Sequence, residues 1–289
     1  MKTIAILGST GHIAKGLIEH LAGAYELALY SRSQDRPFGL FPYEPHDVVI
    51  NCIGPREKLW TEPYEIFRIA ETFDNMVLDY MEKHPGTLYI SFSSGAVFGG
   101  RYARPVAARS MAAIDVNRMD AQAFYGIAKL NAEAKHRAFR RRIVDLRVFS
   151  YFSKHLSPDS LCLMNEVLSC IRDGRELVTS NRDFNRDYVH PNDLAWLVRK
   201  VIERHDVNAA FDVYSRAPVG KFELLEFFAE QYGLRFRGVD DPPETSPTGP
   251  KQNYYSINRR AEDLGYFPRY TSMMCIMEEA SIILATDEH

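Results

Sequence analysis

The sequence has little cysteine. Cys52, Cys162, Cys170 and Cys275 are spread over 289 residues, and no two form a Cys-x-x-Cys pair. That spacing excludes a disulfide framework and a structural zinc knot, so the four thiols read as reduced, buried small residues and no metal site is expected. Long apolar runs are also missing. The N-terminal stretch Ile4-Ala5-Ile6-Leu7 stops at Gly8, too short for a signal peptide. No segment approaches the roughly 18 apolar residues of a membrane-spanning helix. A soluble chain with the cytoplasm as default location is expected, with no membrane partner. Neither charge sign dominates: 35 Lys and Arg stand against 38 Asp and Glu, a net charge of −3, which argues against a nucleic-acid partner and against an acidic or basic disordered tail. No internal repeat or low-complexity segment is present.

The chain does have a regular alternation of short apolar runs with amphipathic stretches. Thr3 to Leu7, Glu26 to Tyr30, Asp47 to Ile53, Thr87 to Phe92 and Arg142 to Phe149 read as strands. The third is continuous and β-branched, as a strand buried on both faces should be. Helices are predicted after Gly11, with Ile13, Leu17, Ile18 and Leu21 on one face, and over about Glu62 to Lys83 and Ala121 to Arg137. Strands alternating with helices imply an α/β fold, a doubly wound parallel sheet with right-handed crossovers. The segment Arg32 to His46 is too short for a full helix and strand and reads as an abbreviated crossover. Beyond it, Leu161 to Arg172, Asn192 to Arg204, Phe222 to Tyr232 and Thr271 to Ala285 are helical. Ala210 to Tyr214 is a strand, and the proline-rich Asp240 to Gln252 a surface loop.

The first strand runs into Gly8-Ser9-Thr10-Gly11-His12-Ile13-Ala14. Gly8 permits the tight turn, Gly11 lets backbone approach a pyrophosphate, Ala14 lets helix pack on strand, and the amides at the helix start supply an anion site. An ordinary strand–helix turn also uses glycines; the position right after an N-terminal strand is what favours a dinucleotide. The second strand ends Tyr30-Ser31-Arg32 with no acidic residue for a ribose 2′-hydroxyl. Ser31 and Arg32 suit a 2′-phosphate, so NADP is expected ahead of NAD; a solvated surface arginine is the plainer alternative.

Tyr125 and Lys129 are four residues apart in a predicted helix and so share a face. An ammonium beside a phenol favours the tyrosinate, which makes Tyr125 a usable general acid or base. An amphipathic surface pair would have the same spacing. Upstream, Ser91-Phe92-Ser93-Ser94-Gly95-Ala96-Val97-Phe98-Gly99 follows a strand. It should put its hydroxyls at the carboxyl edge of the sheet, unless it is only a Ser/Gly-rich turn.

These motifs, in this order, resemble the extended short-chain dehydrogenases/reductases, the NAD-dependent epimerase/dehydratase group. Leu146-Arg147-Val148-Phe149-Ser150, Arg186-Asp187-Tyr188-Val189-His190-Pro191-Asn192-Asp193 and Leu264-Gly265-Tyr266-Phe267-Pro268 extend the resemblance over nearly the whole chain. The resemblance implies a Rossmann unit of residues 1–153 with about 186–206. About 154–185 with 207–289 would form a smaller mixed α/β substrate-binding unit. It implies Ser94, Tyr125 and Lys129 as catalytic residues. Gly8, Ser9, Thr10, Gly11, His12, Ile13, Ser31, Arg32, Cys52, Ile53 and Gly54, with Tyr125 and Lys129, would bind cofactor, within a segment Asn51 to Pro55 that runs beside it. Ser94, Gly95, Ser150, Arg186 and Lys251 would meet a nucleotide sugar, Arg186 at its diphosphate unless it pairs with Asp183 or Asp187. The family commonly dimerises, and the apolar residues of Glu62 to Lys83 could serve a homodimer or simply a wider core face. The sequence departs from the family at Phe98, where a Tyr is usual, and near Ala70, where the family's Asn has no counterpart.

Three activities are consistent with this. One is an NADP-dependent reductase of a keto nucleotide-sugar, with the keto group expected at position 4 and Tyr125 as proton donor. The alternative is an NAD-dependent nucleotide-sugar epimerase, and the third reading is a non-catalytic NAD(P)-binding regulator. Dehydratases of the family carry Asp-Glu after the active-site hydroxyl, where this chain has Gly95-Ala96. That disfavours elimination, and the intact Ser94, Tyr125 and Lys129 disfavour the regulator.

Overall fold

The computed structural model describes residues 1–32, 36–54, 62–100, 102–119, 121–204, 206–240 and 251–285. Five strands are β1 (Thr3–Leu7), β2 (Glu26–Tyr30), β3 (Val48–Asn51), β4 (Leu88–Ser94) and β5 (Ile143–Val148). With the later strand Ala209–Val213 they form one parallel six-stranded sheet in the order Ala209–Val213, β5, β4, β3, β1, β2. The chain order reverses between β1 and β3, which puts the glycine turn after β1 at the switch point where such sheets bind ligands. Residues 33–35 and 55–61, with Pro55 at the end of the expected cofactor strip, lie outside the described residues. The surface loop expected over Asp240 to Gln252 is outside them for residues 241–250.

Strand alternation explains the layering. Ile4 and Ile6 of β1 point to one face with Val48, Ile50, Leu88, Ile90, Val144 and Leu146. There they meet Leu17 and Leu21 of α1 (His12–Leu21) and Leu194, Leu197, Val198 and Val201 of α5 (Pro191–Glu203). Ala5 and Leu7 point to the other face, against Val77, Tyr80 and Met81 of α2 (Pro63–Lys83). The period of two buries both sides of each strand. Each buried leucine or isoleucine contributes about 1.5–3 kcal/mol relative to exposure. Between β2 and β3 the abbreviated crossover is one short 3-10 helix, Phe38–Tyr43, with Phe41 in the core.

Helix α3 (Ala121–Phe139) lies beside α2, and its buried Glu133 and His136 meet buried carboxylates and cations of the neighbouring elements. His136, fully buried, places Nδ1 2.8 Å from Asp145 Oδ1 and Nε2 2.7 Å from Asp74 Oδ1. Burial opposes an imidazolium, but hydrogen bonds to Asp145 and Asp74 outweigh it and hold His136 up at about 9. Lys135 on Asp74 and Arg137 on Asp145 complete the pairing at 2.6 and 2.7 Å. From Asp74 the chain of bonds continues through Tyr89 to Asn51, at 3.0 Å each. The Asn51 Oδ1 then accepts the Ile53 amide at 3.0 Å, so this network fixes the turn after β3.

A second apolar cluster joins α4 (Leu163–Asp173), α6 (Lys221–Tyr232) and α7 (Ser272–Ala285) around Val167, Leu168, Leu224, Phe228 and Ile276. It also takes in two short parallel strands, Glu176–Ser180 and Arg235–Val239. The strand Ala209–Val213, which a boundary after 206 would give to this unit, is instead the edge of the main sheet. The thiols are free as expected, but only Cys170 and Cys275 are buried; Cys52 and Cys162 are half-buried. No described helix is long and apolar enough to cross a membrane.

Candidate active site

At the carboxyl end of β1, Gly8 has φ +77° and donates to the Tyr30 carbonyl at 2.9 Å, with the Ser9 amide on the same oxygen at 3.2 Å. A Cβ on Gly8 would lie 2.9 Å from Ile53 Cγ1 and 3.3 Å from the Cys52 carbonyl carbon. One on Gly11 would lie 3.1 Å from the Gly8 oxygen. Both glycines therefore hold space that a side chain would close. No side chain caps α1 at Gly11, which leaves its opening amides for an anion. These features fit the pyrophosphate of a dinucleotide. Thr10 is exposed, Ile13 packs on the core and Ala14 is fully buried. The His12 side chain turns toward Tyr151. Its ring meets Tyr151 edge-on at 4.9 Å, and burial pulls its pKa to about 4, so it contributes no cationic charge at neutral pH. Gly16, absent from the sequence reading, is the tighter packing position, since a Cβ there would sit 2.2 Å from the Tyr151 hydroxyl oxygen.

Around this turn, Ser31 is buried and donates its amide to Arg36, while Arg32 is exposed at the end of β2. Cys52 donates its amide to Leu7, and burial pushes its thiol well up, so it stays protonated. Ile53 is half-buried against Gly8 and Gly54 is exposed.

The chemistry-bearing residues meet one strand further along. Strand β4 is buried throughout and ends at Ser94, whose Oγ caps a short 3-10 turn, Gly95–Phe98, by accepting the Ala96 amide at 3.2 Å. The same Oγ lies 3.0 Å from the Tyr254 hydroxyl. Helix α3 is pressed onto this turn: a Cβ on Gly126 would stand 2.4 Å from the Ala96 carbonyl oxygen. That contact brings the neighbouring Tyr125 to the end of β4. Lys129 donates from Nζ to the Phe92 carbonyl at 2.8 Å, and the same atom is 5.9 Å from the Tyr125 ring centroid. Lys129 thus ties the strand that carries Ser94 to the helix that carries Tyr125. Tyr254 completes the group. Burial first, and then the nearby Tyr125 phenol, push its pKa well up, against the pull of Ser94.

Gly95 and Phe149 are complementary. A Cβ at 95 would lie 2.3 Å from the Phe149 ring, so the aromatic ring fills the space that a side chain there would need. Ser150 begins a two-residue strand, Ser150–Tyr151, paired with Tyr188–Val189.

Arg186 pairs with neither Asp183 nor Asp187. Its guanidinium donates to the carbonyls of Asn185 at 3.0 Å and Lys251 at 2.5 Å, and lies 4.2 Å from the Phe184 ring. Asp187 instead accepts the Ser215 amide and the Ser272 hydroxyl, and Asp183 the Lys221 amide. Lys251 holds Nζ 4.1 Å over the Tyr254 ring and 5.8 Å over that of Tyr102. Burial, then the neighbouring Arg186, lower its pKa to about 7. Among the described residues no carboxylate is paired with the Arg186 guanidinium or the Lys251 amine, whose partners are carbonyls and aromatic rings, and two neighbouring basic groups without a carboxylate suit an anion.

The sequence reading did not single out Tyr254, Gly126, Gly16 or the filling role of Phe149. Gly126 had a usable signal, since a glycine inside a helix costs about 1 kcal/mol against alanine and so asks for a packing reason. Tyr254 had none, because the pairing of Asn253–Tyr254 with Asn185–Arg186 is a long-range contact.

Comparison with solved structures finds UDP-glucose 4-epimerase of Thermotoga maritima, with UDP-glucose, at a TM-score of 0.83. It has 15% identity and covers 99% of this chain and 100% of that one. RMD from Pseudomonas aeruginosa, complexed with NADPH, gives 0.76 at 19% identity, over 96% of this chain and 98% of the other. dTDP-glucose 4,6-dehydratase from Bacillus anthracis, in complex with NAD, gives 0.79 at 13% identity, over 100% and 98%. At such identities these likenesses establish the fold. None of the curated protein sequences matches closely enough to count as a relative. The sequence profile described as the NAD dependent epimerase/dehydratase family matches residues 4–215, spanning the glycine turn, Ser94, Tyr125, Lys129 and Arg186. The chain belongs to the NAD-dependent epimerase/dehydratase family.

Proposed function

We propose that the protein is an NADP-dependent reductase of a 4-keto nucleotide-sugar. The observation that carries this reading is the bridge made by Lys129, bonded to the carbonyl two residues before Ser94 and lying over the face of Tyr125. A carbonyl oxygen placed between Ser94 and Tyr125 would accept a hydrogen bond from the serine and a proton from the phenol. The Lys129 ammonium offsets the negative charge left on the tyrosine. Gly8 to Ile13 would hold the pyrophosphate of the cofactor, with Arg32 at a 2′-phosphate. A bound nicotinamide would supply the reducing electron pair. Arg186 and Lys251 would take the diphosphate of the substrate, and Gly95-Ala96 offers neither acid nor base for an elimination, the Phe149 ring filling the space beside Gly95.

NADP specificity rests on Ser31-Arg32, and the solved RMD structure carries NADPH on the same fold. The test is consumption of NADPH with UDP- or dTDP-4-keto-6-deoxyglucose, alongside Kd values for NADP and NAD in wild type and Arg32→Ala. The reading requires turnover, and weaker NADP binding in the variant. A protein that purifies with NAD, leaves NADPH untouched and interconverts UDP-glucose with its 4-epimer would instead be an epimerase. The likeness to the Thermotoga maritima enzyme favours that second reading. A homodimer through α2, whose Tyr64 ring is 75% exposed, belongs to the same proposal, and sedimentation tests it.

A further inference from the structure

We propose that Tyr254 is a positioning residue that fixes the hydroxyl of Ser94 as a hydrogen-bond donor toward the reacting oxygen. This rests on the reaction site read above but assigns a role to a residue outside its motifs.

A serine hydroxyl has two acceptor lone pairs and one proton. At Ser94 one lone pair takes the Ala96 amide at 3.2 Å, and the second polar neighbour is the Tyr254 hydroxyl at 3.0 Å. A phenol is a far stronger acid than an aliphatic alcohol, so the better bond runs from Tyr254 O–H to Ser94 Oγ. With both lone pairs engaged, the Ser94 proton has only the open side of the site to point to. Without Tyr254 the hydroxyl could rotate and present a lone pair to the substrate carbonyl, which repels it.

The tyrosine is built in firmly enough for this task. Its ring is 6% exposed and packs against Tyr102 at 4.8 Å and Phe149 at 5.2 Å. The Tyr102 hydroxyl donates to the Gly95 carbonyl at 2.7 Å, joining that packing to the residue after Ser94. Asn253 anchors the strand through its amide to Tyr102 and its side chain to Ala103, both at 2.9 Å. Lys251 lies over the ring at 4.1 Å. The residue that orients Ser94 is therefore also the floor beneath the cation assigned to the diphosphate.

The test pairs two measurements. Tyr254→Phe keeps the ring and removes only the hydroxyl. With UDP-4-keto-6-deoxyglucose and NADPH, or UDP-glucose and NAD, whichever the wild type turns over, kcat should fall roughly tenfold with KM and cofactor Kd unchanged. In a Ser94→Ala background the same change should have almost no effect, because the residue acts through Ser94. Separately, in protein carrying 3-fluorotyrosine, the Tyr254 fluorine resonance, identified by its loss in Tyr254→Phe, should shift in Ser94→Ala. Unchanged or faster turnover in Tyr254→Phe, or equal losses in both backgrounds, would overturn the proposal. So would a resonance indifferent to Ser94→Ala. If that resonance shifts while neither substrate pair is turned over, the contact is real but the reaction reading has failed, and the positioning role falls with it.

Discussion

Gly126 sits so close to Ala96 that a β-carbon on it would stand 2.4 Å from the Ala96 carbonyl oxygen. The distance between Tyr125 and the end of β4 is set by this absence of a side chain. Gly126→Ala would gain about 1 kcal/mol of helix propensity but must push α3 off the turn. Overpacking of this kind costs about 1–3 kcal/mol. The expected outcome is a modestly lowered Tm with kcat reduced at least about tenfold, since small displacements at a reacting centre are expensive. Cofactor affinity should be nearly kept. Steady-state kinetics and thermal unfolding of the one variant check both parts.

The shifted pKa values of His136, His12 and His190 predict a stability maximum near pH 6.5. His136 is raised to about 9 in the folded protein from an ordinary 6.5. Its contribution is full below pH 6.5 and disappears as pH rises toward 9. His12 and His190 are both lowered to about 4, in each case first by burial, and His190 secondly by His20. They remain neutral when folded, so their contribution is full above pH 6.5 and is lost as pH falls toward 4. Denaturant unfolding across this range should trace a dome. His136→Gln should flatten the alkaline side by an amount on the order of 2–4 kcal/mol. An alkaline limb that persists in that variant would refute the assignment.

With Lys251 at the diphosphate as proposed, its pKa, lowered to about 7 by burial and by Arg186, should make UDP binding sensitive to pH. Only the ammonium attracts an anion strongly, so the Kd for UDP should rise as pH passes above 7, by up to about tenfold per unit. Lys251→Met should bind UDP weakly and with a nearly flat profile over the same range. Calorimetric titration with UDP alone reads this without any turnover.

The main sheet was legible because its strands are buried on both faces and punctuated by Gly, Pro and charge. The predicted ends of the strands and helices fall within two or three residues of those observed. The short pairings of the second unit were not, since Asn185–Arg186 and Asn253–Tyr254 are two residues long and joined across 68 positions. Periodicity cannot register so brief a strand. At the candidate site, the spacing of Tyr125 and Lys129 and the likeness to a family pointed to Ser94, Tyr125 and Lys129 as a group, whose catalytic role is the proposal above. Tyr254, which touches Ser94, was not, because its role depends on a contact 160 residues away in sequence. The same limit applies to His12. Its place in the glycine motif suggested a cofactor contact, but only the packing on Tyr151 shows where its ring goes.

The most direct test of the account is Tyr125→Phe, assayed with NADPH and a 4-keto-6-deoxy nucleotide sugar beside the wild type. Loss of the phenolic proton should lower kcat by about 10²–10⁴-fold while NADPH still binds with its original Kd. Turnover at the wild-type rate in that variant would contradict the proposed chemistry.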